Sequence, residues 1–359
     1  MLAVALVAAL AAPAPAPDPA PGCAADDTLA YVCGLEKPED VVPLPDTRWL
    51  IASGFARGAG LKLIDTARRS ATRWYTGDAS QHRPDSRWMR PCPGQLDPAL
   101  FNARGLSLRA TGPGRWRLLV VNHGGRESIE MFDITATRGA PTLQWRGCVT
   151  MPAGQVANSV ASFADGTILT TVLNRPGTTI GDFMLGRPTG AVWRLAPGAD
   201  RFEPLPGTDL PGNNGIETDP DERHFYVVAF GWHAVVMYDR ADTRQPVDRF
   251  VAPDFMPDNI RWSGGRLLIA GMRLDEPACG GLRIVVAGVA DPMLCHRGWV
   301  VGAVDRAAHR IATVAYGGPQ PQFNGLSAAA LVGDTLWLGS FQSDRLAFVP
   351  LPQPKGTTP

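Results

Sequence analysis

Asn214-Gly215-Ile216, the turn Asp219-Pro220-Asp221, and the apolar runs His224-Phe225-Tyr226-Val227-Val228 and Ala234 to Tyr238 decide the fold. A polar residue and a glycine precede an aliphatic residue. A turn and two short runs rich in β-branched and aromatic residues follow, which reads as consecutive strands. The order recurs along the chain. Upstream it reads Glu39-Asp40-Val41 before Trp49 to Ala52, Arg104-Gly105-Leu106 before Arg117 to Val121, and Asn158-Ser159-Val160 before Thr167 to Thr170. Downstream it reads Asp258-Asn259-Ile260 before Arg266 to Ile269, and Asn324-Gly325-Leu326 before Thr335 to Leu338. Further apolar runs follow the copies, at Leu61 to Ile64, Ile129 to Phe132, Ala191 to Leu195, Leu282 to Val286 and Arg345 to Val349. Spacings average near the ~40–50 residues of a four-stranded propeller blade. No long stretch carries the 3.6-residue apolar period of a helix. The expectation is an all-β fold, a six-bladed β-propeller with a central metal-binding tunnel, spanning residues 31–352.

Composition excludes several classes. Lys plus Arg and Asp plus Glu number 34 each, so there is no basic field for nucleic acid or an anionic membrane surface. Leu2 to Leu10 is an apolar run too short to span a bilayer, which needs ~20 residues. It has the length of a secretory signal, with Ala9-Leu10-Ala11 as a small-residue cleavage site, although the usual positive start is missing. Ala12 to Pro21 follows as a semi-rigid spacer. Residues 1–22 therefore read as signal peptide and spacer, and the protein as secreted or periplasmic. Six cysteines fit an oxidising compartment. Cys279 with Cys295 is the favoured pair, and no Cys-x-x-Cys suggests zinc.

Equivalent positions in a propeller are related by rotation about the tunnel. If the first polar residue of each copy starts an innermost strand, Glu39, Arg104, Asn158, Asn214, Asp258 and Asn324 form a ring at one mouth, with Asn259 beside it. Two carboxylates and several amides are hard oxygen donors, the set calcium prefers, and the ring lacks the His and Cys that zinc wants. Any one such pair reads equally well as a turn; the argument rests on repetition.

Phe101-Asn102-Ala103-Arg104-Gly105-Leu106-Ser107, Leu118 to His123 and Ser128 to Phe132 resemble the paraoxonase/arylesterase family in order and spacing. The same fold serves the wider gluconolactonase, regucalcin and strictosidine-synthase-like superfamily. The resemblance implies a catalytic Ca2+ held by Glu39, Asn158, Asn214, Asp258 and Asn259, with His123 over the ion activating water. It implies hydrolysis of a small-molecule lactone or aryl ester. A second, structural ion is implied only weakly. Asp40 remains, but Ser159 stands where the family has an Asp. Arg104 stands where the motif has a histidine, and Leu143-Gln144-Trp145 offers no second catalytic histidine. Arg104 is expected just off the ion, either paired with an acid or binding an acidic substrate, and Asn324 is expected to face the substrate too. His233 is the reserve candidate for the base. Two alternatives stay open: a sugar-lactone hydrolase with a more polar pocket, and a non-catalytic calcium-stabilised binding propeller. Serine hydrolase and metalloprotease signatures are absent.

Overall fold

The computed structural model describes residues 23–351 apart from 27, 137 and 138, so the expected signal peptide and spacer lie outside the described residues. Six four-stranded antiparallel sheets follow one another as blades. Their innermost strands are Val41–Pro43, Ala103–Gly112, Ala157–Ser162, Asn213–Thr218, Phe255–Ser263 and Leu326–Val332, for blades one to six. Each expected copy opens one blade.

The middle strands read as unbroken apolar runs because they are buried on both faces. Leu118 and Val120 of blade two pack on Ile51 and Leu63 of blade one, while the alternate residues Leu119 and Val121 pack on Val160 and Ile168 of blade three. Phe225 and Val227 of blade four likewise face Leu169 and Val192, while Tyr226 and Val228 face Ile260 and Ile269. Six such junction cores run round the ring, ending where Trp337 and Leu346 of blade six meet Leu50 and Ile64 of blade one. At ~25 cal/mol per Å² of apolar surface, these junctions supply the main drive for folding.

Ala30–Cys33 closes the ring by pairing antiparallel with Arg345–Pro350, with Tyr31 opposite Ala347. The blade that ends the chain thus takes its outermost strand from the start of the described chain. Three disulfides are present: Cys23–Cys33, Cys92–Cys148 and the expected Cys279–Cys295. They fit an oxidising compartment. Among the described residues, no helix is long and apolar enough to cross a membrane.

One strand assignment changes. Leu282 to Val286 is not a blade strand. Blade five runs Phe255–Ser263, Arg266–Arg273, Trp299–Asp305, Arg310–Gly317, and residues 274–298 form an insertion of two short hairpins. Leu282 and Val286 are 57% and 64% exposed, so their apolar character does not mark a core strand.

Candidate functional site

The ring exists because the inner strands bulge at one level. Pairing with the second strand slips between Ala103 and Leu106, Ala157 and Val160, Asn213 and Ile216, and Pro257 and Ile260. The residues inside these slips are Arg104-Gly105, Asn158-Ser159, Asn214-Gly215 and Asp258-Asn259. A bulge re-aims its side chains out of the ladder, here at the same height in four blades. The glycines have a steric cause. A Cβ on Gly105 would lie 2.7 Å from the Asn158 carbonyl oxygen, and one on Gly215 would lie 2.7 Å from that of Asp258. Neighbouring inner strands approach too closely at the axis for any side chain there.

Four of the five expected ligands lie together, while among the described residues no contact ties Asn158 to them. Glu39, Asn214, Asp258 and Asn259 are at most 8% exposed. Asn259 Nδ2 donates to Glu39 Oε1 at 2.9 Å, although 220 residues separate them. Asp258 lies beside the Asn214 side chain and feels the charges of Glu39 and Asp40. Glu39 Oε2, Asn158 Oδ1, Asn214 Oδ1 and Asn259 Oδ1 are all buried without a hydrogen-bond partner. Unpartnered buried oxygens cost free energy that a ligand can return. Burial, then the Asp40 charge, pushes the Glu39 carboxyl up to about 7. Burial first, then Glu39, also drives Asp258 well above the usual carboxylate range. Two acids held this way at one point call for a cation. No cluster of three or more His, Cys, Asp or Glu able to hold a metal occurs among the described residues. The donors here are two carboxylates and three amides, which suits calcium and not zinc or copper.

Asp40 differs from its neighbour. Its Oδ1 accepts from Val41 N at 2.8 Å, and its Oδ2 from Leu106 N at 2.7 Å and Arg261 Nη2 at 2.6 Å. Both oxygens are already engaged. Asn324 is engaged too: Oδ1 accepts from Arg297 N at 3.1 Å and Nδ2 donates to Gln342 Oε1 at 2.7 Å. Its amide ties blade six to the blade-five insertion.

Arg104 lies beside the ring. Its guanidinium carbon stacks 3.0 Å from the Phe55 ring centroid, and Nε and Nη1 are buried without a partner. Burial lowers its pKa to about 10, against the pull of Glu39 and Glu127. It makes no ion pair within 4.0 Å among the described residues, so it stands off the ring and is not locked to an acid.

His123 follows the second strand of blade two, at the end where Asn122 pairs with Ala103. Its Nδ1 bonds Glu127 Oε2 at 2.6 Å, and its side chain is 16% exposed. Sequence reading missed Glu127. The four-residue step lies in a loop connection, where no periodicity signals contact. Trp145 is a core residue whose Nε1 donates to buried Glu130 at 2.8 Å. His233 lines a small cavity with Phe230, Met256 and Leu274. Around that cavity Phe183, Phe230, Met256 and Met272 form an apolar collar with Leu173, Met184, Met293 and Phe341. Met256 lies two residues before Asp258 on the same strand, so the collar adjoins the ring.

Fold and site together define a six-bladed propeller with buried side-chain oxygens on its inner strands. Solved structures share the fold. A luciferin-regenerating enzyme superposes with a TM-score of 0.52 at 12% identity, over 90% of this chain and 95% of that one. A putative gluconolactonase gives 0.50 at 15% identity, over 90% and 92%. A regucalcin from Agrobacterium tumefaciens, described as a calcium-binding protein, gives 0.49 at 13%, over 88% and 90%. At these identities the likeness is one of fold. No protein-family model and no curated sequence relative matches the chain.

Proposed function

We propose that the chain is a calcium-dependent hydrolase of lactones and related aryl esters. The observation that supports this reading is a set of three buried, unpartnered amide oxygens and two buried acids, Glu39 and Asp258, on the inner strands of the propeller. The resemblance of residues 101–132 to the paraoxonase/arylesterase family points the same way.

Glu39, Asn158, Asn214, Asp258 and Asn259 would hold the calcium. Bound there, the ion supplies Lewis-acid polarisation of an ester carbonyl. The remaining chemistry belongs to the side chains. Glu127 accepts from His123 Nδ1–H, which fixes the tautomer and leaves Nε2 to take a proton from the attacking water. Glu127 is thus a positioning residue for His123. The collar of Phe183, Phe230, Met256 and Phe341 excludes water and seats an aliphatic or aromatic body. A polar sugar lactone fits that wall less well. Arg104, whose Nε and Nη1 have no partner, would hold an acidic group on the substrate.

Hydrolysis of an aliphatic lactone, phenyl acetate and a sugar lactone, with and without a chelator, tests the proposal. Calcium-dependent turnover of the first two that falls ~10²–10⁴-fold in His123→Gln is the expected result. No turnover of any substrate, with calcium acting only on thermal stability, would leave a binding propeller instead.

A further inference from the structure

The tunnel carries a built-in cation below the ring. Arg261 is the last but two residue of its strand, Phe255–Ser263, and points to the axis from blade five. Its Nη2 donates both to Asp40 Oδ2 at 2.6 Å and to the Leu106 carbonyl oxygen at 2.8 Å. Leu106 N in turn donates to the same Asp40 oxygen. Asp40 is fully buried and Arg261 is 7% exposed. Three inner strands, from blades one, two and five, are therefore joined at the axis through one guanidinium. Arg261 also lines a cavity of about 310 Å³ at the opposite mouth, with Glu217, Arg109 and Trp262 in its wall. The guanidinium thus stands between the ring and that mouth.

We infer that Arg261 does the work a second metal ion would otherwise do, so that the tunnel binds one divalent cation and no more. This rests on the metal reading of the ring given above. A buried acid and a carbonyl oxygen on neighbouring strands are hard donors that would suit calcium. Here both are spent on N–H groups. A guanidinium is always charged and is attached covalently, so it resists chelators and acid alike. Removing one member of such a buried pair strands the other charge. Arg261 is therefore a structural cation that holds three blades in register whether or not the ring is loaded.

Calorimetric titration of the chelator-stripped full-length protein with calcium chloride tests this. The inference expects one calcium per chain, lost in Glu39→Gln. Two calcium ions per wild-type chain would overturn it while leaving the functional reading intact. One ion retained in Glu39→Gln would also overturn it, because the cation would then sit elsewhere. No binding at all would overturn the ring reading and this inference with it. Arg261→Ala gives a second test where it folds. It should unfold at lower temperature in chelator than the wild type and gain a second, weaker binding event, because Asp40 and the Leu106 carbonyl are then free for an ion. A folded Arg261→Ala protein that still binds a single ion would count against the inference.

Discussion

The metal-free protein should lose stability as pH rises from 5 to 8, and Glu39 should be the main cause. Without a cation, burial holds the Glu39 carboxyl protonated up to about 7, whereas the ordinary value is 4.5. The folded state therefore keeps a proton that the unfolded chain releases above that ordinary value. Where the folded state binds more protons, stability falls with rising pH. The loss accumulates through the window from 4.5 to about 7 and is complete above it. At about 1.4 kcal/mol per pH unit, the interval is worth ~3 kcal/mol. For a domain of this size that is a fall of roughly 5 °C in Tm. Asp258 shifts in the same direction and adds to it. Calcium needs the ionised acid, so its stabilisation should grow over the same window. The assay is thermal unfolding at pH 5 and pH 8, in chelator and in calcium, for wild type and Glu39→Gln. Wild type in chelator should drop more steeply than the variant, and calcium should abolish the difference in slope. Equal slopes in wild type and Glu39→Gln would refute the reasoning, since Glu39 would then carry no proton of its own.

Three further outcomes follow from the same geometry. Gly105→Ala and Gly215→Ala each drive a Cβ against a backbone oxygen 2.7 Å away. Each should cost ~1–3 kcal/mol and weaken calcium binding, read by thermal unfolding and calorimetry. Glu127→Gln should lower kcat about tenfold with KM little changed in steady-state kinetics, because the carboxylate that orients the His123 ring is gone. Reduction of Cys92–Cys148, whose partners are 56 residues apart, should cost ~4 kcal/mol by loop-closure entropy, more than the loss of Cys23–Cys33, 10 apart, at ~3 kcal/mol. Denaturant unfolding of the Cys→Ser variants checks the order.

Much of the fold is legible in the chain because each blade repeats one local rule. Runs such as Leu118 to Val121 and Phe225 to Val228 are unbroken because both faces meet neighbouring blades. In four blades the polar residue before the run stands out because a bulge re-aims it out of the ladder, and Gly105 and Gly215 stand beside it because the strands crowd there. What the chain hides is non-local. The closing strand Ala30–Cys33 is four residues long and finds its partner at the other end of the sequence. The insertion 274–298 separates two strands of blade five and carries an exposed apolar run that imitates a blade strand. Asp40 looks like a cation ligand until Arg261, 221 residues away, is seen on it. Glu127 gives no signal because loop residues contact by conformation, not by period.

The central claim is that the ring of Glu39, Asn158, Asn214, Asp258 and Asn259 encloses one hard divalent cation. A crystal structure of the protein grown in calcium measures this directly. The account predicts a single anomalous peak at the tunnel mouth, with oxygens of these five side chains at ~2.3–2.6 Å. Water alone at that point under saturating calcium, with the ring oxygens bonded to one another, would contradict it.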